Sequence, residues 1–319
     1  MALFLREAEV TELLTMDAAL AAVEEAFRQQ GLGQATNHPR TRFVMKGGVF
    51  HLMAGALPEQ GAFGFKAYTA YPGRGVRFKV TLYDAASGDI LAVMEADRLG
   101  QVRTGAASGV ATKYMAREDA SVVGIFGTGW QARTQLEAVC KVRPVRLVKA
   151  YGRDPERRKR FAREMAELLR VTVQPVEAPE EAVRGCDVVI TITNAREPVF
   201  DGAWLEPGTH VNAAGSNYLI KREIDDAAVA RAAVIAVDDL AQAKLECGDL
   251  LHPVERGLVR WSQVRQLGDV VAGLAPGRRS PDDVTLFESQ GIAIEDVAVA
   301  RRVYDLARER GVGQEIPLS

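Results

Sequence analysis

Over residues 17–30 the apolar positions recur at helical spacing: Leu20, Val23 and Phe27 share one face, with Glu24, Glu25 and Arg28 opposite. This pattern predicts an amphipathic helix. Between 41 and 94 it gives way to short β-branched and aromatic runs at 41–45, 49–53, 64–68, 78–83 and 90–94, separated by glycine and proline. They predict strands of a mainly antiparallel α+β region, with 84–89 as a hairpin turn. A small-residue helix follows over 104–115, where Ala106, Ala107, Gly109 and Ala111 permit close approach by another element. From Ser121 strand and helix alternate. Strands are predicted at 122–126, 145–151, 171–174, 188–193, 210–213 and 234–237, and helices at 130–141, 155–169, 178–184, 221–232 and 239–246. Such alternation implies a parallel, doubly wound sheet. At the end Val297, Ala300, Val303, Tyr304 and Ala307 return to helical spacing, with Gly311 as a stop. This helix is expected to pack on the N-terminal region.

The stretch Gly127-Thr128-Gly129-Trp130-Gln131-Ala132 follows the first strand of the alternating part and opens a helix. Its G-x-G-x-x-A spacing suits a dinucleotide. Gly127 allows the tight turn, Gly129 lets a pyrophosphate approach the backbone, and Ala132 lets helix and strand pack closely. The phosphates would then lie at a helix N-terminus. The alternative is an ordinary glycine-rich turn. The expected fold class is α/β: a doubly wound Rossmann domain over 116–295, and a smaller α+β domain over 1–115 that a C-terminal helix at 296–319 completes.

Composition narrows the partners. The 319 residues suffice for two cores, and 47% hydrophobic with 26% charged residues is a soluble globular balance. A net charge of −2 with no basic tract argues against nucleic acid and anionic membranes. No apolar run reaches the length of a membrane span. The first residues lack the basic stretch of a secretory signal. Cys140, Cys186 and Cys247 are scattered and read as buried thiols in a reducing, cytoplasmic setting. The four histidines lack ligand spacing, so no metal site is expected.

A dinucleotide domain needs a substrate site in the other domain, and the crevice between the two is its expected place. Arg40 and Arg42 enter a strand, and Arg42 is either a solvated edge charge or an anion binder. Lys66 sits inside an aromatic, apolar strand. It either snorkels or binds a carboxylate with a shifted pKa. Arg103 and Thr104 read as a helix start that could hold a cofactor phosphate. Ala214, Gly215 and Ser216 follow a strand at the carboxyl edge, and Asp225 starts a helix as either a cap or a general acid/base.

Taken in order, the segments 64–66, 103–108, 127–132, 214–216, 267–273, 285–291 and 295–297 resemble the ornithine cyclodeaminase/mu-crystallin family over nearly the whole chain. The resemblance implies that Arg42 and Lys66 bind the substrate carboxylate, that Lys66 also polarises or deprotonates the amine, and that Asp225 is the catalytic acid/base. It places Thr81 and Arg103, with Thr104 beside it, on cofactor phosphates or ribose, and Gly127, Thr128, Gly129, Trp130, Gln131 and Ala132 on the pyrophosphate. Thr193, Ala214, Gly215 and Ser216 would line the nicotinamide side. Ser289 and Gln290 would belong to a loop closing over nicotinamide and substrate. A homodimer formed through the N-terminal domain is also implied.

The second strand of the alternating part ends Tyr151-Gly152-Arg153-Asp154, without an acid at the first two positions. NAD-specific domains hold the ribose with such an acid. Arg153, with Arg157 and Arg158 nearby, therefore favours NADP(H), with NAD(H) possible if Asp154 reaches the ribose. The implied activity is hydride transfer at the Cα of a small amino acid or cyclic imino acid, by an imine reductase or alanine-dehydrogenase-like enzyme. No acid is evident among Met45, His51, Met53, Tyr68 and Tyr71 to bind a side-chain ammonium. The alternatives are an ornithine or lysine cyclodeaminase using bound NAD⁺, and an NADPH or small-ligand binding protein of mu-crystallin type.

Overall fold

The computed structural model describes residues 1–317. The chain forms two compact units, Met1–Thr104 joined by the segment from Gly291 onward, and Gly105–Gln290. Both boundaries differ from the expected 115/116 and 295/296.

The first unit is built on a sheet of β1 (Ala2–Leu5), β2 (Thr36–Met45), β3 (Gly48–Leu57), β4 (Ala62–Ala70), β5 (Phe78–Asp84), β6 (Ile90–Glu95) and a C-terminal strand, Gln314–Ile316. Its order is C-terminal strand, β1, β6, β5, β4, β3, β2, antiparallel except for β1 beside β6. The runs at 41–45 and 49–53 are the near ends of two ten-residue strands. The turn at 84–89 closes as expected, Asp84 N–H donating to the Asp89 carbonyl at 2.9 Å. Burial alternates along β4, with Ala62, Gly64 and Lys66 inside, so one sheet face is covered. Two helices, α1 (Glu7–Leu13) and α2 (Met16–Gly31), precede β2. Thr15 caps α2 by accepting from Ala18 N–H, and Val23 and Phe27 are fully buried. The C-terminal helix runs Ala293–Arg310 rather than 296–319, and Gly311 ends it at φ 65°. The chain then adds the C-terminal strand to β1, and positions 318–319 lie outside the described residues. This helix lies on the covered face, where a Cβ at Gly55 of β3 would come 3.0 Å from Ile294.

Helix α3 (Asp97–Met115) carries the chain from the first unit into the second. It begins well before the predicted position 104. The second unit holds an eight-stranded, wholly parallel sheet: β7 (Val122–Phe126), β8 (Leu147–Tyr151), β9 (Thr172–Pro175), β10 (Val188–Thr191), β11 (His210–Ala213), β12 (Ala232–Val237), β13 (Val264–Gln266) and β14 (Val284–Glu288). The order is β13, β12, β14, β11, β10, β7, β8, β9. Its helices are α4 (Trp130–Val142), α5 (Pro155–Leu169), α6 (Asp226–Arg231), α7 (Leu240–Glu246), α8 (Gly248–Glu255) and α9 (Leu267–Val271). Leu136 and Val139 of α4 and Phe161 and Met165 of α5 pack on one sheet face, against Val123, Ile125, Val148 and Ile190. Val229 of α6, Ala243 of α7 and Leu250 of α8 pack with Val189, Val211, Ile235 and Leu286 in a separate core. This is the doubly wound arrangement that the alternation implied.

Sequence periodicity did not reveal β13, β14, α8 and α9. β14 is buried at all five positions between β11 and β12. It therefore lacks the period-two signal of a half-exposed strand. The predicted helix at 221–232 shrinks to six residues because 217–225 is held in irregular structure by buried side chains. Small residues of α3 do serve close approach: a Cβ at Gly105 would clash with the Thr134 carbonyl of α4.

His210 of β11 is fully buried, with Nδ1 2.9 Å from Thr285 Oγ1 and Nε2 3.1 Å from Asn212 Oδ1, and Asn212 donates to Thr112 of α3 at 2.9 Å. Burial, reinforced by the Arg278 charge, pushes the imidazole down to about 3. The unfolded chain takes up this proton below about 6.5, and the folded chain only near 3. His210 therefore withdraws stability as pH falls between these values, approaching about 1.4 kcal/mol per pH unit. His210→Asn should be less stable than wild type at pH 7.5, and thermal melts should show that gap narrowing towards pH 4. A gap that stays constant would show that the folded chain does not hold His210 neutral.

Candidate active site

In the first unit the strand register sets side chains in rows. Arg42, His51, Tyr68 and Phe78 pair across β2 to β5. Met53, Lys66 and Val80 form the next row of the same face. His51 stacks on Tyr68, with centroids 4.4 Å apart and planes at 3°, and Lys66 Nζ lies 5.6 Å from the Phe78 ring centre. Lys66 is buried, with Nζ 2.6 Å from Asp296 Oδ2 in the first turn of the C-terminal helix. Arg103 of α3 donates to Asp296 at 2.9 Å and Glu295 at 2.7 Å. Arg40 donates to the Gly291 carbonyl at 3.0 Å and lies 3.4 Å from Met53 Sδ.

Burial of Lys66, aided by the nearby Arg103 charge, brings the amine down to about 7 against the pull of Asp296. Burial also lowers His51 to about 4, with Arg42 and Arg40 adding to the effect, so its imidazole is neutral at pH 7. Lys66 is thus no snorkelling residue. It is a buried amine poised to gain or lose a proton near neutrality.

Two expectations about this unit need correction. Arg103 and Thr104 do not start a helix, because α3 begins at Asp97 and both lie inside it. The Thr104 hydroxyl donates to the Gly100 carbonyl at 2.7 Å, and Arg103 is engaged by two carboxylates. They form no helix-terminus anion site. Thr81 pairs with Phe65 and Val93, one residue out of step with Lys66 and Val80. Strand alternation therefore turns it to the opposite sheet face.

In the second unit β7 lies between β8 and β10, so the strand order reverses at β7. Ligands of doubly wound sheets bind beyond the carboxyl ends at such a switch point. The glycine turn is there. Gly127 has φ 111°, and a Cβ on it would clash with the Ile192 carbonyl, so only glycine fits. Its N–H donates to the Tyr151 carbonyl at 3.0 Å. A Cβ on Gly129 would meet nothing within 4 Å, which leaves that side of the turn open to a ligand. Gly129 is the N-cap of α4 and brings no capping side chain, while Ala132 is fully buried. Trp130 is half exposed, and Gln131 and Thr128 flank the turn. A helix N-terminus without a capping side chain, an open glycine and a positive φ together fit a pyrophosphate.

The exit of β8 abuts this turn, since a Cβ on Gly152 would lie 3.1 Å from Thr128. Asp154 is the N-cap of α5, accepting from Glu156 and Arg157 N–H at 3.0 and 3.1 Å. Arg153 and Arg157 are exposed. Arg158, expected to add surface charge, is instead buried against Tyr151 and donates to the Gly152 carbonyl at 3.0 Å.

On the other side of β7, Thr193 follows β10, while Ala214, Gly215 and Ser216 follow β11. Ser289 donates its N–H to the Ala213 carbonyl at 2.9 Å, and Gln290 N–H donates to Asp238 at 2.7 Å. Ser289 and Gln290 are both buried directly after β14. Their backbone is held in place at the exit of β14.

Asp225 is the N-cap of α6. One carboxylate oxygen accepts from Ala228 N–H at 2.8 Å and the other from Gly202 N–H at 3.0 Å. The structure shows Asp225 in the capping role, with one backbone N–H on each carboxylate oxygen. Sequence reading also missed a set of buried acids: Glu223, Asp249 of α8 and Glu288 of β14. Burial pushes the Asp249 carboxyl up to about 7, with the Glu223 charge adding to it, and raises Glu223 and Glu288 as well. The Cys247 thiol donates to Glu288 at 3.5 Å, and burial raises its pKa, so it is unreactive. No group of three or more ligand side chains among the described residues could hold a metal.

Comparison with known proteins accounts for the arrangement. The family model for the ornithine cyclodeaminase/mu-crystallin family matches residues 1–311. A Δ1-pyrroline-2-carboxylate reductase from Thermococcus litoralis, solved with NADH and L-proline, is similar at TM-score 0.93 and 37% identity, covering 98% of this chain and 100% of that one. An archaeal alanine dehydrogenase dimer with bound NAD is similar at TM-score 0.93 and 39% identity, over 100% and 99%. The iminosuccinate reductase of Paracoccus denitrificans, solved with NAD⁺, gives TM-score 0.94 and 32% identity, over 99% of each chain. This chain therefore belongs to the ornithine cyclodeaminase/mu-crystallin family and is an enzyme of the dehydrogenase, reductase and cyclodeaminase kind found there.

Proposed function

We propose that the enzyme is a nicotinamide-dependent reductase of small or cyclic imino acids that also oxidises the corresponding amino acid. The carrying observation is the Arg42–His51–Tyr68 row beside Lys66. It offers cations for a carboxylate, a flat aromatic floor for a small or ring-shaped substrate, and a buried amine that titrates near 7. The bound nicotinamide supplies or accepts hydride at the substrate α-carbon. Arg42 and Lys66 bind and orient the carboxylate, and orientation is a large part of such catalysis. Protonated Lys66 donates to the imine nitrogen during reduction, and neutral Lys66 takes that proton back during oxidation. A cyclodeaminase needs an acid for the side-chain ammonium. Among the described residues the carboxylates beside Lys66, Glu295 and Asp296, are already engaged by Arg103 and Lys66.

For the dinucleotide we propose that Gly127 to Ala132 hold the pyrophosphate and that Arg153 meets a ribose 2′-phosphate, making NADP(H) the favoured cofactor. Asp154 supports this because it is engaged as a helix cap. The reading for NAD(H) is favoured by the dinucleotides bound in the relatives. Thr193, Ala214, Gly215, Ser216 and Ser289 are proposed to line the nicotinamide half, and Gln290 the substrate. A homodimer is also proposed. The sheet face opposite the C-terminal helix carries half-buried Phe63, Phe65, Tyr83 and Val93, an apolar surface suited to a second copy.

Mixed with NADPH or NADH, the protein should oxidise the cofactor in the presence of pyrroline-2-carboxylate, piperideine-2-carboxylate, or pyruvate plus ammonia. Proline and ammonia from ornithine, without net absorbance change, would show a cyclodeaminase. Tight NADPH binding without turnover would show a binding protein.

The pH profile of imine reduction should fall above about 7 on one ionisation, because protonated Lys66 is then lost. Lys66→Met should remove that limb and lower kcat/KM at least about 100-fold. Asp225→Ala should cost about 1–2 kcal/mol of stability, read by thermal melt, and leave the limb in place. A limb that follows Asp225 instead would transfer the proton role to it.

Arg153→Ala should weaken NADPH binding about tenfold or more, and NADH binding less than threefold. Equal effects on both would place the 2′-position elsewhere. Sedimentation equilibrium should give twice the chain mass, and Phe65→Asp should yield the monomer.

A further inference from the structure

We propose that Glu223 is a positioning residue that holds the exits of β10 and β11 in one fixed geometry, and so sets the place of the nicotinamide ring. This role rests on the dinucleotide reading of the second unit.

Glu223 is fully buried in the irregular segment between β11 and α6. Its carboxylate accepts hydrogen bonds from two neighbouring strand exits: the Thr191 hydroxyl at 2.9 Å and the Thr193 N–H after β10, and the Gly215 N–H at 2.7 Å after β11. Glu223 is itself anchored. Asp249 accepts from the Glu223 and Ile224 N–H groups at 2.7 and 2.9 Å, and the Glu223 carbonyl accepts from Val199 N–H at 2.8 Å. One side chain, pinned through its own backbone to α8, therefore clamps two turns together. The fit leaves no slack at Gly215, where a Cβ would lie 2.6 Å from Glu223 Cδ and 2.5 Å from the Thr193 carbonyl.

The chemistry calls for a carboxylate. Two of the donors, at Thr193 and Gly215, are backbone N–H groups, which cannot reverse their polarity, and an ionised carboxylate offers acceptors only. An amide in its place would turn an NH₂ towards an N–H. Deleting the group would leave buried donors without partners, a cost normally relieved by movement of the backbone. The donors favour the charged form, while burial pushes the Glu223 carboxyl above its ordinary value. These exits lie on the β10 side of the switch point, across β7 from the β8 exit that faces the adenosine ribose in such domains. Movement there should displace the reacting ring and leave the adenosine end in place. Hydride transfer is sensitive to such sub-ångström displacement.

The test uses the full chain with Glu223→Gln and, separately, Gly215→Ala, which keeps the carboxylate but forces the two exits apart. Thermal melts establish folding, NAD(P)H fluorescence titration gives Kd, and steady-state turnover uses protiated and 4,4-dideuterated cofactor with whichever imine the wild type reduces. Both variants should lose about 30-fold or more in kcat, with Kd and the imine KM changed less than about threefold. The deuterium effect on kcat should rise as hydride transfer becomes limiting. Should Glu223→Gln fail to fold, Gly215→Ala alone decides. Unchanged kcat in the folded variants overturns the proposal. So does a parallel loss of affinity and rate with an unchanged isotope effect, which general loosening would produce. A wild-type chain that binds no dinucleotide fails earlier, and overturns the proposed function and this role together.

Discussion

Two buried cations and two buried carboxylates hold the first unit in register. Lys66 and Arg103 come from the N-terminal part of the chain, Glu295 and Asp296 from the start of its last helix. With Lys66 protonated the cluster is neutral as a whole, and each charge lies within hydrogen-bonding distance of an opposite one. Removing one partner of such a set strands the others in a medium that cannot solvate them, typically at a cost of about 3–5 kcal/mol. The C-terminal helix must therefore return to the sheet that begins the chain. The same cluster makes Lys66 chemically useful. A lone surface lysine would stay charged through the physiological range, whereas burial beside Arg103 brings this amine to about 7. Packing and reactivity share one cause.

The second unit shows a related economy. Its sheet is parallel and covered on both faces, so ligands can approach only at strand ends. There the backbone geometry is the feature that fits a ligand. Gly127 accepts a φ that other residues avoid, and Gly129 leaves space. The polar side chains behind this edge hold the exits: Asp225 and Asp154 as caps, Asp238 on Gln290, and Glu223 on Thr191, Thr193 and Gly215. These acids hold backbone groups in place, and the raised pKa values of Glu223, Asp249 and Glu288 reflect burial, with nearby charges of the same set adding at Asp249 and Glu288.

The division of labour between the units follows. The buried amine of Lys66 and an aromatic floor belong to the first, and fixed amide dipoles belong to the second. A dehydrogenase or reductase needs both, and fixed dipoles with pre-positioned charges need no reorganisation as the reaction proceeds.

Local pattern alone was enough for the glycine turn, the alternating strands and helices, the amphipathic helix at 17–30 and the Gly311 stop, because each depends on nearby side chains and backbone preference. It also singled out Lys66, as a cation out of place in an apolar strand. Tertiary structure decided what depends on distant partners. β14 is buried on both faces and shows no alternation. The sheet register, not its sequence neighbours, turns Thr81 away from Lys66. Only the tertiary structure shows the two carboxylates that engage Arg103 and the two amides that meet Asp225. Glu223 had no signal at all, since its donors at Thr191, Thr193 and Gly215 lie 8 to 32 positions away along the chain. A side chain's chemistry is set by what solvates it, and in a buried site that solvent is the rest of the fold.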